Sequence, residues 1–228
     1  MIVVAWNMGR RDHRAAWRYL LDGMAADLAL LQETSPPPEV FHRGHVLHAR
    51  AYPKHSWGST IYVRDGDARE LPLPKEHSGW LMAADVELPG GVSLVAVSIH
   101  ARILDGYVRP NLDRAFEALE PLLADRSFVL GGDLNLSRNY DKVYGTSHHT
   151  EFLDDLTSRG FFDCMREFHP EEQRTFWGRT RHDYQNDHVF VSQDLATRVA
   201  GCDVVDRVNL SDHSPLRLIL RHAPEATS

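Results

Sequence analysis

The stretch Phe128-Val129-Leu130-Gly131-Gly132-Asp133-Leu134-Asn135 sets a short apolar run directly against an acid and an amide. Phe128–Gly131 reads as a buried strand, and Gly132-Asp133-Leu134-Asn135 ends it. The same arrangement recurs along the chain. Ile2–Trp6 reads as a strand followed by Asn7, and Leu28–Leu31 as a strand followed by Gln32-Glu33. His100 closes the run Val92–His100. Asp187 opens the run Asp187–Val191, and Asp212-His213 precedes a last strand, Pro215–Leu220. Polar groups at strand ends converge on one rim of a sheet, where rigid backbone fixes them. An Asp or Asn after a strand ordinarily serves a turn or a helix cap, and a lone His100 has a core reading. Glu33 after Leu28-Ala29-Leu30-Leu31 is poorly explained by turn chemistry, so weight falls on the set.

Outward from these runs, Arg11–Ala26 reads as a helix, with Trp17, Leu20, Leu21 and Met24 on one face. Pro36-Pro37-Pro38 forces a loop. Ser59–Val63 and Leu81–Leu88 read as strands, and Pro89-Gly90-Gly91 turns the latter into Val92–His100 as an antiparallel hairpin. Leu112, Phe116, Leu119 and Leu123 mark a second helix, bent near Pro121. A short helix over Glu151–Ser158 stops at Gly160. Helices mixed with hairpins and crossovers imply a layered α+β domain.

At 228 residues, with no repeat, linker or composition shift, one domain spanning 1–228 is expected. A chain of this size hides roughly 70% of its unfolded surface without staples. Cys164 and Cys202 make no disulfide framework and no zinc spacing, which suits a reducing compartment. The start lacks a basic segment and a long apolar stretch, and no later run approaches a membrane span, so a cytoplasmic monomer is expected. The net charge of −7, from 25 basic and 32 acidic residues, argues against nucleic-acid binding over the whole surface but leaves room for a local basic groove.

Hard oxygen ligands without cysteine suit Mg²⁺ or Mn²⁺ rather than structural zinc. Six pieces then resemble the endonuclease/exonuclease/phosphatase superfamily, the DNase I-like fold. They are Trp6-Asn7, Leu31-Gln32-Glu33, Ser98-Ile99-His100, Gly131-Gly132-Asp133-Leu134-Asn135, Asp187-His188-Val189-Phe190-Val191-Ser192 and Ser211-Asp212-His213-Ser214-Pro215, in the family's order over nearly the whole chain. Thr175-Phe176-Trp177 resembles a further family feature.

The resemblance implies an α/β (α+β) four-layer sandwich, two packed mixed β-sheets flanked by helices. It implies that Glu33 is the principal metal ligand, with Asn7 beside it and Asp212 near the metal, directly or through water. It implies His213 as general base on the attacking water or as a proton-bearing phosphate contact, with Asp187 orienting its ring. Asp133 would position the nucleophile, Asn135 would donate to the scissile phosphate, and His100 would contact phosphate and protonate the leaving group.

Two positions depart from the pattern. Gly9 stands where some nuclease members carry an acid, and Asn186 where many carry Arg or Lys; Arg102 or Arg109 are candidates to replace that cation in the substrate groove. Weaker candidates are His148-His149 as a second metal site, Trp57 and Tyr107 as base-stacking rings, and the basic cluster Arg10, Arg11 and Arg14. The expected activity is Mg²⁺- or Mn²⁺-dependent phosphodiester hydrolysis on DNA or RNA. The alternatives are a small phosphate ester (nucleotide, inositol phosphate or lipid headgroup) and, behind that, a repurposed biosynthetic site or a silent binding module.

Overall fold

The computed structural model describes residues 1–10, 13–178, 182–206 and 209–221. In chain order the elements are β1 (Ile2–Asn7), α1 (His13–Arg18), β2 (Leu28–Thr34), β3 (His45–Arg50), β4 (Gly58–Val63), β5 (Asp67–Glu70), β6 (Leu81–Leu88), β7 (Val92–His100) and α2 (Arg109–Leu123). They continue with β8 (Phe128–Asp133), α3 (Arg138–Tyr144), α4 (His148–Ser158), β9 (Phe161–Asp163), α5 (Cys164–Phe168), β10 (Asp187–Ser192), α6 (Gln193–Ala196), β11 (Val199–Val204) and β12 (Leu216–Leu220). The first helix is shorter than its apolar spacing predicts. It widens into a π-helical turn over Tyr19–Gly23, and the expected start at Arg11 lies outside the described residues.

The strands form two six-stranded mixed sheets, ordered β11-β12-β1-β2-β4-β3 and β5-β6-β7-β8-β10-β9. Side chains alternate across each strand and so fill two layers at once. Val3 and Ala5 of β1, with Leu28 and Leu30 of β2, meet Met82, Ala84, Ala96 and Val129 in the core between the sheets. Val4, Trp6, Ala29 and Leu31 face the other way, onto Trp17 and Leu20 of the first helical segment. On the second sheet Val95, Val97, Leu130 and Phe190 pack beneath Leu112, Phe116 and Leu119 of α2 and Phe152 of α4. The result is the expected four-layer sandwich.

The glycine pair of the opening stretch has a packing reason. A Cβ on Gly131 would come 2.8 Å from the Ala5 Cβ of the facing sheet, and one on Gly132 would lie 2.0 Å from the Ile99 carbonyl oxygen. Close approach lets a buried polar link cross between the sheets. Gln32 Nε2 donates to Ser98 Oγ at 2.9 Å, and Ser98 Oγ donates to the Leu31 carbonyl at 2.9 Å.

Each sheet contains a parallel crossover, β1 to β2 and β7 to β8. Parallel strands end on the same side, so Asn7, the Gln32-Glu33 end of β2, His100 and Asp133 all reach one rim. Register tightens this: His100 and Asp187 both pair with Asp133.

Candidate active site

At that rim lies a cavity of about 360 Å³ lined by Asn7, Gly9, Arg10, Glu33, His100, Asp133, Asn135, Phe176, Asp212 and His213. Seven described non-glycine residues have left-handed backbone, and three of them, Arg10, Glu33 and Asn135, are in this lining. Backbone strain of that kind persists where surrounding structure over-determines it, as functional sites do.

Asp133 is the hub. Asn7 Nδ2 donates to its Oδ2 at 2.9 Å, and the Asn135 backbone N–H donates to its Oδ1 at 3.0 Å. His100 Nε2 and His213 Nε2 each stand 3.7 Å from Asp133 Oδ2, and His100 Nε2 is 3.7 Å from Glu33 Oε1. Asp187, fully buried behind the cavity wall, accepts from His213 Nδ1 at 2.8 Å. Its other oxygen, Oδ1, is buried with no hydrogen-bond partner among the described residues.

Local hydrogen bonds fasten the loop that carries His213. Ser211 Oγ donates to the Asn7 carbonyl at 2.8 Å, and the His213 N–H donates to Ser211 Oγ at 3.0 Å. Trp6 Nε1 donates to the His213 carbonyl, and Trp177 Nε1 to Ser214 Oγ. Thr175 Oγ1 accepts from the N–H groups of Asn186 and Asp187, which fixes the start of β10. Phe176 closes one wall, its ring 4.9 Å from that of His213. The Thr175-Phe176-Trp177 segment thus clamps both ends of the His213–Asp187 pair.

The two histidines are driven apart electrically. Burial alone would lower the pKa of His213, but Asp187 and Asp133 outweigh it and raise the value to about 10. Burial lowers the pKa of His100, although Asp133 and Glu33 pull the other way. Burial, reinforced by Asp187, raises the pKa of Asp133, against His213 and His100. With no cation bound, these shifts favour a proton on His213, with its Nδ1 on Asp187, and disfavour one on His100, while Asp133 holds a proton more readily than an ordinary carboxylate.

Oxygen donors dominate the lining and no thiolate is present there, a donor set that fits a hard divalent cation. Glu33 and Asp212 place carboxylates in the lining, both Glu33 oxygens accepting from Arg10, and the Asn7 amide oxygen accepts from the Gly9 N–H at 3.0 Å. Asp133, Asp187 and His213 also bring potential ligand atoms within 4.8 Å of one another. A protonated His213 has no lone pair to give a metal, and its Nδ1 is engaged with Asp187.

The remaining candidates from the sequence fall elsewhere. Arg102 lies over the Trp80 ring, 5.0 Å from its centroid, and Trp80 in turn packs 5.0 Å from His100. Arg109 pairs with Asp113 at 2.8 Å and covers Phe152. Neither arginine lines the cavity. Asn135 lines it, but its Nδ2 donates one hydrogen to the Ala101 carbonyl at 3.0 Å. His149 accepts from the Ser137 N–H and stacks on Tyr140, and neither it nor His148 joins a three-ligand cluster among the described residues. Trp57 is buried against Tyr52 and Trp80, while Tyr107 is exposed. Arg14 pairs with Glu39 at the surface, and Arg11 lies outside the described residues. From the sequence, Arg10 was a weaker candidate within a basic cluster near Asn7 and Phe176 part of a family-like segment, while Trp80 was not singled out. The available signal for Arg10 was its place three residues after Asn7.

Two mixed sheets packed face to face, with acids, amides and histidines gathered at one rim, define a DNase I-like α/β sandwich. The model of the Endonuclease/Exonuclease/phosphatase family matches residues 4–213, and the chain belongs to that family. Comparison with curated proteins found no match. Among solved structures, an AP endonuclease from Archaeoglobus fulgidus is 20% identical with a TM-score of 0.75, covering 96% of this chain and 99% of its own. An AP endonuclease from Leishmania major is 19% identical with a TM-score of 0.74, covering 97% and 88%. A 3'-5' exonuclease from Neisseria meningitidis is 20% identical with a TM-score of 0.75, covering 96% and 99%. These likenesses establish the fold. No helix among the described residues is long and apolar enough to cross a membrane.

Proposed function

We propose that this chain is a divalent-cation-dependent phosphodiesterase acting on nucleic acid, a nuclease. The observation that carries the reading is the His213–Asp187 pair aimed at Asp133, beside Glu33 in one cavity. Family membership supports hydrolysis of phosphate esters, and the nuclease activities named for the solved relatives favour a polynucleotide.

Glu33 and Asp212, with Asn7 alongside, would hold Mg²⁺ or Mn²⁺, which supplies polarisation of the phosphoryl oxygen and charge stabilisation of the leaving oxygen. Asp187 and Asp133 favour a proton on His213, which suits it to donate to a phosphoryl oxygen through Nε2–H. Asp187 holds its ring and its charge. The acceptor left for the proton of the attacking water is Asp133, whose carboxylate is oriented by Asn7 and by the Asn135 N–H. Water oxygen bonds to phosphorus, the bond to the leaving oxygen breaks and that oxygen takes up a proton from solvent, and His100, its Nε2 3.7 Å from Asp133 Oδ2, has one N–H for the phosphate. Of the two roles the sequence left open for His213, the electrostatics favour the proton-bearing contact.

The test is hydrolysis of bis-p-nitrophenyl phosphate and of single- and double-stranded DNA and RNA with Mg²⁺, with Mn²⁺ and with EDTA. Cation-dependent cleavage of a polynucleotide is the expected result. Cleavage of the small ester alone would move the substrate to a small phosphate ester, and EDTA-resistant cleavage would remove the cation from the reading.

A further inference from the structure

Arg10 lies inside the cavity and is already committed there. Its Nη2 donates to Glu33 Oε1 at 2.5 Å and its Nε donates to Glu33 Oε2, so one guanidinium takes both oxygens of the carboxylate best placed to hold a cation. The Arg10 backbone N–H also donates to the Glu33 carbonyl at 3.0 Å. One face of the guanidinium rests on Trp57, 4.3 Å from the ring centroid, and Trp57 is braced edge-on by Trp80 at 5.6 Å. The side chain is nonetheless half exposed.

The charge around it makes this placement costly to ignore. Glu33, Asp133 and Asp212 line the cavity, and Arg10 is the one guanidinium among the described residues that do. Position 186, just before β10, carries Asn rather than a cation, and Arg102 and Arg109 are occupied with Trp80 and with Asp113. The position before Arg10 cannot add a ligand. A Cβ on Gly9 would fall 2.8 Å from Asp212 Oδ1 and 2.9 Å from Ser211 Oγ, on a backbone with φ of +65°. An anionic substrate entering a cleft walled by carboxylates meets repulsion, which a guanidinium at the lip offsets alongside a charged His213.

We propose that Arg10 is a substrate-binding residue held in reserve on Glu33: a divalent cation displaces it from that carboxylate, and the freed guanidinium clasps the phosphate of the substrate. The exchange follows from geometry. A cation on Glu33 needs the same lone pairs that Arg10 occupies. A planar guanidinium fork that fits a carboxylate bidentately also fits two phosphoryl oxygens, and Trp57 keeps it flat at the cavity lip after release. Cation and phosphate thereby become coupled ligands, each favouring the other through Arg10. The proposal rests on the phosphodiesterase reading for its substrate half, while its Glu33 half stands without it.

Two measurements on the full chain test it. Mn²⁺ is titrated by calorimetry into the EDTA-stripped wild type, Arg10→Ala and Arg10→Lys, and steady-state kinetics with bis-p-nitrophenyl phosphate are run on all three. Removing Arg10 frees Glu33, so Arg10→Ala binds Mn²⁺ about tenfold more tightly, while its KM rises about tenfold with kcat changed far less. Arg10→Lys, a cation without the fork, falls between in both. A residue that merely shapes the cavity would weaken both ligands, so an unchanged or weaker Mn²⁺ affinity in Arg10→Ala overturns the exchange. Tighter Mn²⁺ binding with unchanged KM overturns the phosphate role. If the wild type hydrolyses no phosphodiester, the functional reading fails, and the Mn²⁺ titration still decides whether Arg10 guards Glu33.

Discussion

The strands β8 and β10 run between two cavities, and only one of them is built for chemistry. Their Asp133 and Asp187 ends border the 360 Å³ cavity, while their Phe128 and Ser192 ends border a larger one of about 830 Å³. Several charged residues at the larger cavity are paired at the surface. Arg126 pairs with Asp85, Arg159 with Glu120 and Asp155, and Ser127 donates to Asp194. The smaller cavity brings buried Asp133, His100 and His213 close together, and burial with neighbouring charge raises the pKa of Asp133 and His213 and lowers that of His100. Volume does not mark the site here; unresolved buried charge does.

Four experiments bear on that contrast. The largest effect is expected for Glu33→Gln, which keeps the side chain's size and removes the charge that holds a cation. Cation-dependent hydrolysis should fall by roughly a thousandfold, the scale of several kcal/mol of lost charge stabilisation. Retained turnover with unchanged cation dependence would take Glu33 out of the site. Next, His213→Ala should lower kcat by about a hundredfold or more, with the protein still folded by circular dichroism. A change confined to KM would leave His213 a binding contact only.

The third effect is a pH dependence of stability in cation-free protein. The folded pKa of His213 is about 10 against an ordinary value of 6.5. A raised folded pKa means the contribution is complete below about pH 6.5 and fades as pH climbs through 10. Thermal unfolding should therefore slip to lower temperature over that window, and His213→Ala should flatten the slope. An NMR titration placing the His213 transition near 6.5 would contradict the imidazolium. The smallest effect belongs to the other cavity. Arg159→Ala should leave kcat/KM unchanged and alter stability by no more than about 0.5 kcal/mol, as exposed pairs do. A large loss of activity there would break the contrast between the two ends of β8.

The interior of the fold was legible and its margins were not. β1, β2, β4, β6, β7, β8, β10 and β12 all show as apolar runs because burial on both faces demands them. The strands that the sequence pattern leaves unannounced are β3, β5, β9 and β11, and these are the four edges of the two sheets. Asp67–Glu70 has one buried residue in four, and His45–Arg50 has none fully buried. An edge strand covered on fewer sides carries too few apolar positions to register as one.

By itself the sequence determined that acids, amides and histidines sit at strand ends, and which residues those are, because alternating burial leaves a polar residue visible where a strand stops. Asn7, Glu33, His100, Asp133, Asn135, Asp212 and His213 all reach one cavity, with Asp187 directly behind it. Tertiary structure alone decided the rest. That Arg10 lines the cavity, while Arg102 and Arg109 do not, depended on how the segments fold around the rim. The directions in which His213 and Asp133 shift depended on burial and on charges contributed by segments far apart in the chain. A pKa is set by everything within a few ångströms in space, and that neighbourhood exists only once the two sheets have closed on each other.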